Sequence, residues 1–383
     1  MTPPQRFPGV MGWSPEDASL GAPARSNKIY TYDVVFPIGE TNIKAPSKRP
    51  FLIKTNDLSR LQVKAPNKFG KKPRHAGRKD PRMIYTITLN PAWDVTYRVH
   101  EIHPEGLHRA YAAKETAGGK GVNVARAVRH AGGAACAIAC LGGLSGERIA
   151  ATLEAEGVDC ISVGVSGDTR TNVSVIADDG RAFEVNGEGT IVDPGAVTRI
   201  RRALLENLLP GDTIALCGSF PRFQDSTPAR FWTELSALAA RTECRLVLDT
   251  GGKFLGELFR ESLPAPTLIK PNFDELCDLA GAAAREELPE NATAAEYCAI
   301  VEAYLRRSPV ALSRTAVLCT LGAHGAVYVD ETGSRYGATA AVRFPKAEKG
   351  AGDTYLGVFL TRRASGWGIT ESMAAAASAA AAV

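Results

Sequence analysis

The chain has 383 residues, enough for one large α/β domain or two smaller ones, and its 45% hydrophobic content fits a packed core. No run of eighteen or more apolar residues occurs and the start, MTPPQRFPGV, lacks the apolar stretch of a secretory signal, so neither a membrane span nor a leader is expected and a cytoplasmic location is. The net charge of +4 hides a division: residues 1–82 carry 16 Lys+Arg against 6 Asp+Glu, whereas residues 83–383 carry 29 against 35.

Residues 1–82 also hold 11 of the 23 prolines and show little periodicity, with short strands expected only in YTYDVVFPIG and RPFLIK. KAPNKFGKKPRHAGRKDPR reads as a solvated basic linker. A basic tail can bind nucleic acid through phosphates, but no aromatic interleaving or known module supports specific binding, so nucleic acid is not an expected partner. Basic usage switches at Met83, from 9 Lys and 7 Arg before it to 6 Lys and 23 Arg after it. A start codon assigned too far upstream would produce that switch, and residues 1–82 are expected to be a poorly ordered or non-native extension.

From Met83 the pattern is regular. MIYTITL reads as a strand, VNVARAVRHAGG as an amphipathic helix ended by glycine, ACAIACLGG as a buried strand and GERIAATLEAEG as a second helix. CISVGV, DTIALCG, CRLVLDT and PTLIKPN continue as strands, with helices expected in VTRIRRALLENLL, TPARFWTELSALAAR and AAEYCAIVEAYLRR. TAVLCTLGAHGAVYV reads as strand, turn and strand. Apolar runs alternating with helices predict an α/β fold with a mostly parallel sheet covered on both faces. DVTYRVHEI…HRAYAAKETAGG and TRTNVSVIADDGRAFEVNGEG instead alternate polar and apolar residues, which predicts a small antiparallel lid from about 94–117 and 170–187. HEIH (His100–His103) lacks HExxH spacing and is read as a polar strand surface, and the eight cysteines form no CxxC pair and are expected to be reduced, mostly buried thiols.

The chemistry is expected at the ends of these strands, where open α/β sheets bind ligands. GAGD sets Gly350, Ala351, Gly352 and Asp353 at the mouth of an apolar helix. Helix-start N–H groups favour phosphate, and a carboxylate beside them can take a proton from an attacking hydroxyl. Taken alone, Asp353 is equally an ordinary helix cap. Asp94 lies just past the first strand, Lys120 and Asn123 follow a glycine turn, Arg170 starts a lid strand, and Lys270, Asn272 and Glu275 end a core strand. Each has a bland alternative as a turn, cap or solvated charge, and GGKG fails the P-loop pattern because no Ser or Thr follows Lys120. Together the residue types suit phosphoryl transfer, which needs cations, N–H dipoles, a metal and a placed nucleophile. Lys270 and Asn272 suit nucleotide phosphates and Glu275 suits Mg²⁺; Asp94 and Asn123 suit sugar hydroxyls, and Arg170 with Lys120 suits a phosphate on the substrate.

TLNPAWD, GGKGVNVARAV, TRTNVSV, CGSFP, LDTGG, KPNFDEL, LGAHGAV and GAGDTYLGVF occur in an order that resembles the ribokinase-like (PfkB) carbohydrate kinase family, most like its 1-phosphofructokinase and tagatose-6-phosphate kinase branch. The resemblance runs from Met83 to the C-terminus. It implies a central α/β sheet with a β lid, ATP as donor and Mg²⁺ as helper. By the same resemblance Asp353 matches the catalytic base and the amides of Gly350, Ala351 and Gly352 match the anion hole. Asp94, Gly119, Lys120 and Asn123 match sugar contacts, Arg170 the contact to the sugar's phosphate, and Ser219 falls near that pocket. Lys270 and Asn272 match nucleotide-phosphate contacts, Glu275 closes the metal motif, and Thr320, Gly322 and Gly325 match the loop beside the nucleotide. The implied reaction is phosphorylation of a hexose phosphate, fructose 1-phosphate first, with fructose 6-phosphate and tagatose 6-phosphate as alternatives. A homodimer through the lid is the implied assembly. Two features depart from the pattern: Glu348-Lys349 replaces a small Thr-Val or Ser-Val pair before GAGD, and the ending MAAAASAAAAV stops inside an expected helix, so a truncated domain is expected. Both departures leave open a sugar-phosphate-binding protein impaired in turnover.

Overall fold

The computed structural model describes residues 29–34, 82–282, 287–310, 312–340 and 350–383. RPFLIK, most of the basic linker and Glu348-Lys349 lie outside the described residues. In chain order the elements are β1 (Ile29–Val34), β2 (Ile84–Thr88), β3 (Ala92–Val99), β4 (Ala112–Gly118), α1 (Lys120–His130), β5 (Ala135–Leu141), α2 (Gly143–Ala155), β6 (Asp159–Gly164), β7 (Arg170–Ala177), β8 (Ala182–Asn186) and α3 (Pro194–Asn207). They continue as β9 (Thr213–Cys217), α4 (Pro228–Arg241), β10 (Arg245–Asp249), α5 (Gly252–Arg260), β11 (Leu268–Ile269), α6 (Phe273–Leu279), α7 (Ala294–Arg307), β12 (Ala316–Thr320), β13 (Ala326–Val329), β14 (Arg335–Ala340), α8 (Ala351–Ala364) and α9 (Ile369–Ala380).

Ten strands form the main sheet in the order β1-β14-β13-β12-β11-β10-β9-β2-β5-β6. From β6 to β12 every neighbour runs parallel; β13 is antiparallel to both β12 and β14. The central strands β2, β5 and β9 are buried along their whole length, as continuous apolar runs require. Their two faces differ in size. Tyr85, Ile87, Ile138, Ile214 and Leu216 pack with Ile200, Trp232, Leu255 and Val301 of α3, α4, α5 and α7. Ala135, Ala137, Ala139 and Ala215 instead meet Val124, Leu153, Leu356 and Met373 of α1, α2, α8 and α9. These small residues let α1 and α8 lie close to the strand ends, and each buried Leu, Ile or Phe contributes about 1.5–3 kcal/mol.

The second sheet has the order β4-β3-β7-β8 and matches the expected lid span. It is not wholly antiparallel: two antiparallel pairs, β3 with β4 and β7 with β8, are joined by parallel pairing of β3 with β7. His100–His103 lie in the loop after β3 rather than on a strand. The described residues Ile29–Val34 overlap the first of the two short strands expected before Met83 and form the edge strand β1, parallel to β14. Their Ile, Tyr, Thr and Val content suits a strand. All eight cysteines are free; six are buried and two half-buried.

Candidate active site

The site starts with two helices that nearly touch. A methyl group on Gly357 of α8 would lie 2.5 Å from the Ala127 side chain and 2.8 Å from the Val124 carbonyl of α1. Asp353 is one turn before Gly357, and Asn123 one turn before Ala127, so the close crossing brings these two side chains together. Asn123 Nδ2 donates to Asp353 Oδ2 at 2.8 Å. Asp353 is 8% exposed. Burial, then the nearby Asp249 carboxylate, pushes its pKa up to about 6, against the pull of Asn123, Lys270 and Lys120.

Gly350 caps α8 in the left-handed region, with φ 110° and ψ −5°, which favours glycine. Its carbonyl accepts from the Thr354 N–H at 2.8 Å. The N–H groups of Ala351, Gly352 and Asp353 occupy the first turn, where no intrahelical acceptor exists. A methyl at Gly352 would lie 3.6 Å from Lys270 Nζ, so a lysine faces the same turn.

Asp249, which the residue-by-residue reading left unassigned although LDTGG was noted, ends β10 fully buried. Its Oδ1 is 3.1 Å from Lys120 Nζ and its Oδ2 is 3.3 Å from Lys270 Nζ. Lys120 also reaches to 4.0 Å from Glu275 Oε1. Lys120, expected to pair with a substrate phosphate beside Arg170, lies against the Asp249 carboxylate. Burial works against its charge, but Asp249 and Glu275 outweigh burial and raise its pKa. Burial raises the pKa of Glu275, opposed by Lys120.

The sugar corner sits where the lid joins the main sheet. Asp94 of β3 accepts from Asn172 Nδ2 of β7 at 2.8 Å, and a methyl at Gly118 would strike Asp94 Oδ2 at 1.9 Å. Gly119 follows with φ 123°, pressed against Thr88 and Pro91, and turns the chain into α1. Asn90 Nδ2 donates to Ser219 Oγ at 3.0 Å. Arg170 donates to the carbonyls of Asn90 and Gly187 at 3.3 and 3.4 Å. Among the described residues, Arg170 Nε, Asn90 Oδ1 and Asn172 Oδ1 are buried here without hydrogen-bond partners, as is Thr88 Oγ1. A buried donor and two buried acceptors left unpaired are costly unless a ligand completes them. A phosphorylated sugar offers both an anion and hydroxyl groups, so the residues fit it.

On the nucleotide side, Asn272 and Glu275 form a capping box at the start of α6, with N–H to carboxylate and N–H to amide oxygen distances of 2.9 and 2.7 Å. Asn272 thus uses its side-chain oxygen locally and keeps its amide NH₂ group for other partners. Thr320 bridges to this corner through its N–H, which donates to the Pro271 carbonyl at 3.0 Å. Gly322 and Gly325, with φ of 61° and 97°, frame the tight turn between β12 and β13. Among the described residues, no atom lies within 4 Å of a methyl built on Gly350 or Gly322, which leaves space for a phosphate or a base. Lys270, the α8 amides and the open turns fit ATP, and Glu275 beside them fits a divalent cation that keeps most of its waters.

The pfkB family carbohydrate kinase profile matches residues 83–383. The chain belongs to this family. Over 202 residues this family member is 34% identical to the 1-phosphofructokinase of Bacillus subtilis (strain 168), covering 52% of this chain and 63% of that protein. It is 29% identical to the tagatose-6-phosphate kinase of Staphylococcus epidermidis over 197 residues, or 51% of this chain and 62% of that one. The chain thus spans about three-fifths of the length of these curated relatives. Phosphofructokinase-2 from Escherichia coli in complex with fructose-6-phosphate superposes with a TM-score of 0.65 at 27% identity, over 78% of this chain and 93% of that one. A ribokinase from Cryptococcus neoformans in complex with ADP shares the fold, with a TM-score of 0.58 at 21% identity over 78% and 93%. The α/β ribokinase-like architecture expected from the sequence is therefore the one found. Asp249, Asn90, Asn172 and Gly357 lie inside LDTGG, TLNPAWD, TRTNVSV and GAGDTYLGVF but have no individual role in the sequence reading; Asn172 lies two residues from Arg170 on the same strand face.

Proposed function

We propose that the protein transfers the γ-phosphoryl group of ATP to a hydroxyl of a hexose phosphate, with fructose 1-phosphate the first acceptor and fructose 1,6-bisphosphate the product. One observation carries this reading: Asp353 sits buried at the first turn of α8, aimed by Asn123, with its pKa lifted to about 6. Such a carboxylate is ionised at neutral pH yet basic enough to take a proton. Asp353 accepts the proton of the acceptor hydroxyl as that oxygen bonds to the γ-phosphorus. The bond from this phosphorus to the bridging oxygen breaks, and ADP leaves with its electron pair. The Gly350, Ala351 and Gly352 amides and Lys270 meet the charge on the migrating group. Mg²⁺, held by Glu275, would supply further neutralisation of the nucleotide phosphates.

On the acceptor side Asp94, Asn123 and the turn at Gly119 contact hydroxyls, and Arg170 holds the substrate's own phosphate near Ser219. The name of the Bacillus relative favours fructose 1-phosphate; the Escherichia coli neighbour bound to fructose-6-phosphate favours a second reading, in which Arg170 holds a 6-phosphate. The exposed lid strand β8, with Phe183 and Val185, is where a second copy would pair. A coupled ADP-release assay on fructose 1-phosphate, fructose 6-phosphate, tagatose 6-phosphate and fructose tests the reading. Turnover highest on fructose 1-phosphate and lowest on fructose is expected. Binding of a hexose phosphate without ADP release from any of them would replace the kinase with a sugar-phosphate-binding protein.

A further inference from the structure

Two lysines meet Asp249, and they are not alike. Lys270 is 5% exposed in its side chain and is packed under α8, whereas Lys120 arrives from the first position of α1 and keeps 36% exposure. A methyl built on Gly218, whose φ is 91°, would come to 3.8 Å from Lys120 Cβ, so the stem is not crowded from that side. The Lys120 ammonium sits among Asp249 and Glu275, and Asp353 is close enough to act on its charge. Three carboxylates therefore share two ammonium groups, and without Lys120 the cluster would carry two uncompensated negative charges in a largely buried place.

We propose that Lys120 is a resident counter-ion of the Asp249–Glu275–Asp353 cluster, displaced from it when a divalent cation arrives with the nucleotide. The inference rests on the phosphotransferase reading and adds to it a role for this lysine in metal entry. A divalent cation drawn to Glu275 meets an ammonium 4.0 Å from that carboxylate, so the two compete for the same negative charge. Lys120 can yield because its four-carbon stem is flexible and its head is a compact charge with three donors. Released from Asp249, the same head can meet phosphate oxygens, which ties metal arrival to phosphate capture. Lys270, enclosed and paired with the other oxygen of Asp249, stays in place.

The test is Mn²⁺ binding to the full chain without nucleotide, read by calorimetry or electron paramagnetic resonance. Removing one positive neighbour from a partly screened site should tighten Mn²⁺ in Lys120→Met by roughly ten- to hundredfold. Lys120→Arg should bind Mn²⁺ like the original chain. Unchanged or weaker Mn²⁺ binding in Lys120→Met overturns the inference and leaves the acceptor panel above to judge the kinase reading on its own. A second measurement needs no variant: pulse acetylation followed by mass spectrometry should show Lys120 becoming several-fold more reactive at saturating Mn²⁺ while Lys270 does not change. Equal Lys120 labelling with and without Mn²⁺ overturns the proposal as well.

Discussion

The two halves of the site are finished to different degrees. At the phosphoryl corner, Asn123 binds Asp353 and two lysines flank Asp249, all at 2.8–3.3 Å, with Asp249 Oδ2 held by the Lys270 charge rather than by a hydrogen bond. At the sugar corner, Arg170, Asn90 and Asn172 each keep a buried polar atom without a partner. The first corner is built on ends of the main sheet and on two helices locked at Gly357; the second is built on the face of the lid sheet, whose outer strand β8 is exposed throughout. On the proposed function, the first corner is the reaction side and the second the recognition side. A preformed, compensated corner can hold charge steady during transfer, while an incomplete one gains hydrogen bonds only when substrate arrives.

Breaking the reaction corner should give the largest effect. Asp353→Asn is expected to lower kcat by about 10²–10⁴-fold, with hexose-phosphate binding by calorimetry nearly unchanged. Breaking the recognition corner should act on KM instead. Arg170→Ala removes a charge-assisted contact and is expected to raise KM for the hexose phosphate by roughly 10–100-fold, with no effect on the weak turnover of unphosphorylated fructose. Gly357→Ala sharpens the comparison, because its methyl would force α1 and α8 apart. It should cost about 1–3 kcal/mol in urea unfolding and lower kcat more than it raises KM. The smallest effect is on stability. The Asp353 carboxyl has a folded pKa above its ordinary value, so the folded state holds that proton more tightly, and stability is lost as pH rises from about 4 through about 6. Asp353→Asn should therefore be more stable than the original chain at pH 8 by about 1–3 kcal/mol, a gain that shrinks to nothing near pH 4.

Much of this was legible in the residues. ACAIACL and DTIALC read as strands because they are short, continuous apolar runs alternating with helices, and the alternation in DVTYRV and TRTNVSV marked the second sheet. KPNFDE follows β11 and GGKG follows β4, whereas GAGD opens α8. What stayed hidden depends on partners distant in sequence. The parallel pairing of β3 with β7 joins residues more than seventy positions apart, and no local period encodes it. Asp249 reads as an ordinary strand end until two lysines, one from α1 and one after β11, converge on it. Lys120 and Arg170 both suit phosphate, and nothing local to Lys120 encodes its contact with Asp249. Gly357 looks like a weak point inside a helix until Ala127 and Val124 are found against it. Glu275 was expected as a metal residue, and its bond to the Asn272 N–H shows that it also caps α6.

The pH dependence of kcat for hexose-phosphate phosphorylation, in the original chain and in Asp353→Asn, bears most directly on Asp353 as the proton acceptor. The account predicts an acidic limb centred near pH 6 in the original chain and its disappearance from the residual activity of Asp353→Asn. The same limb persisting in Asp353→Asn, or full turnover by that variant, would contradict it.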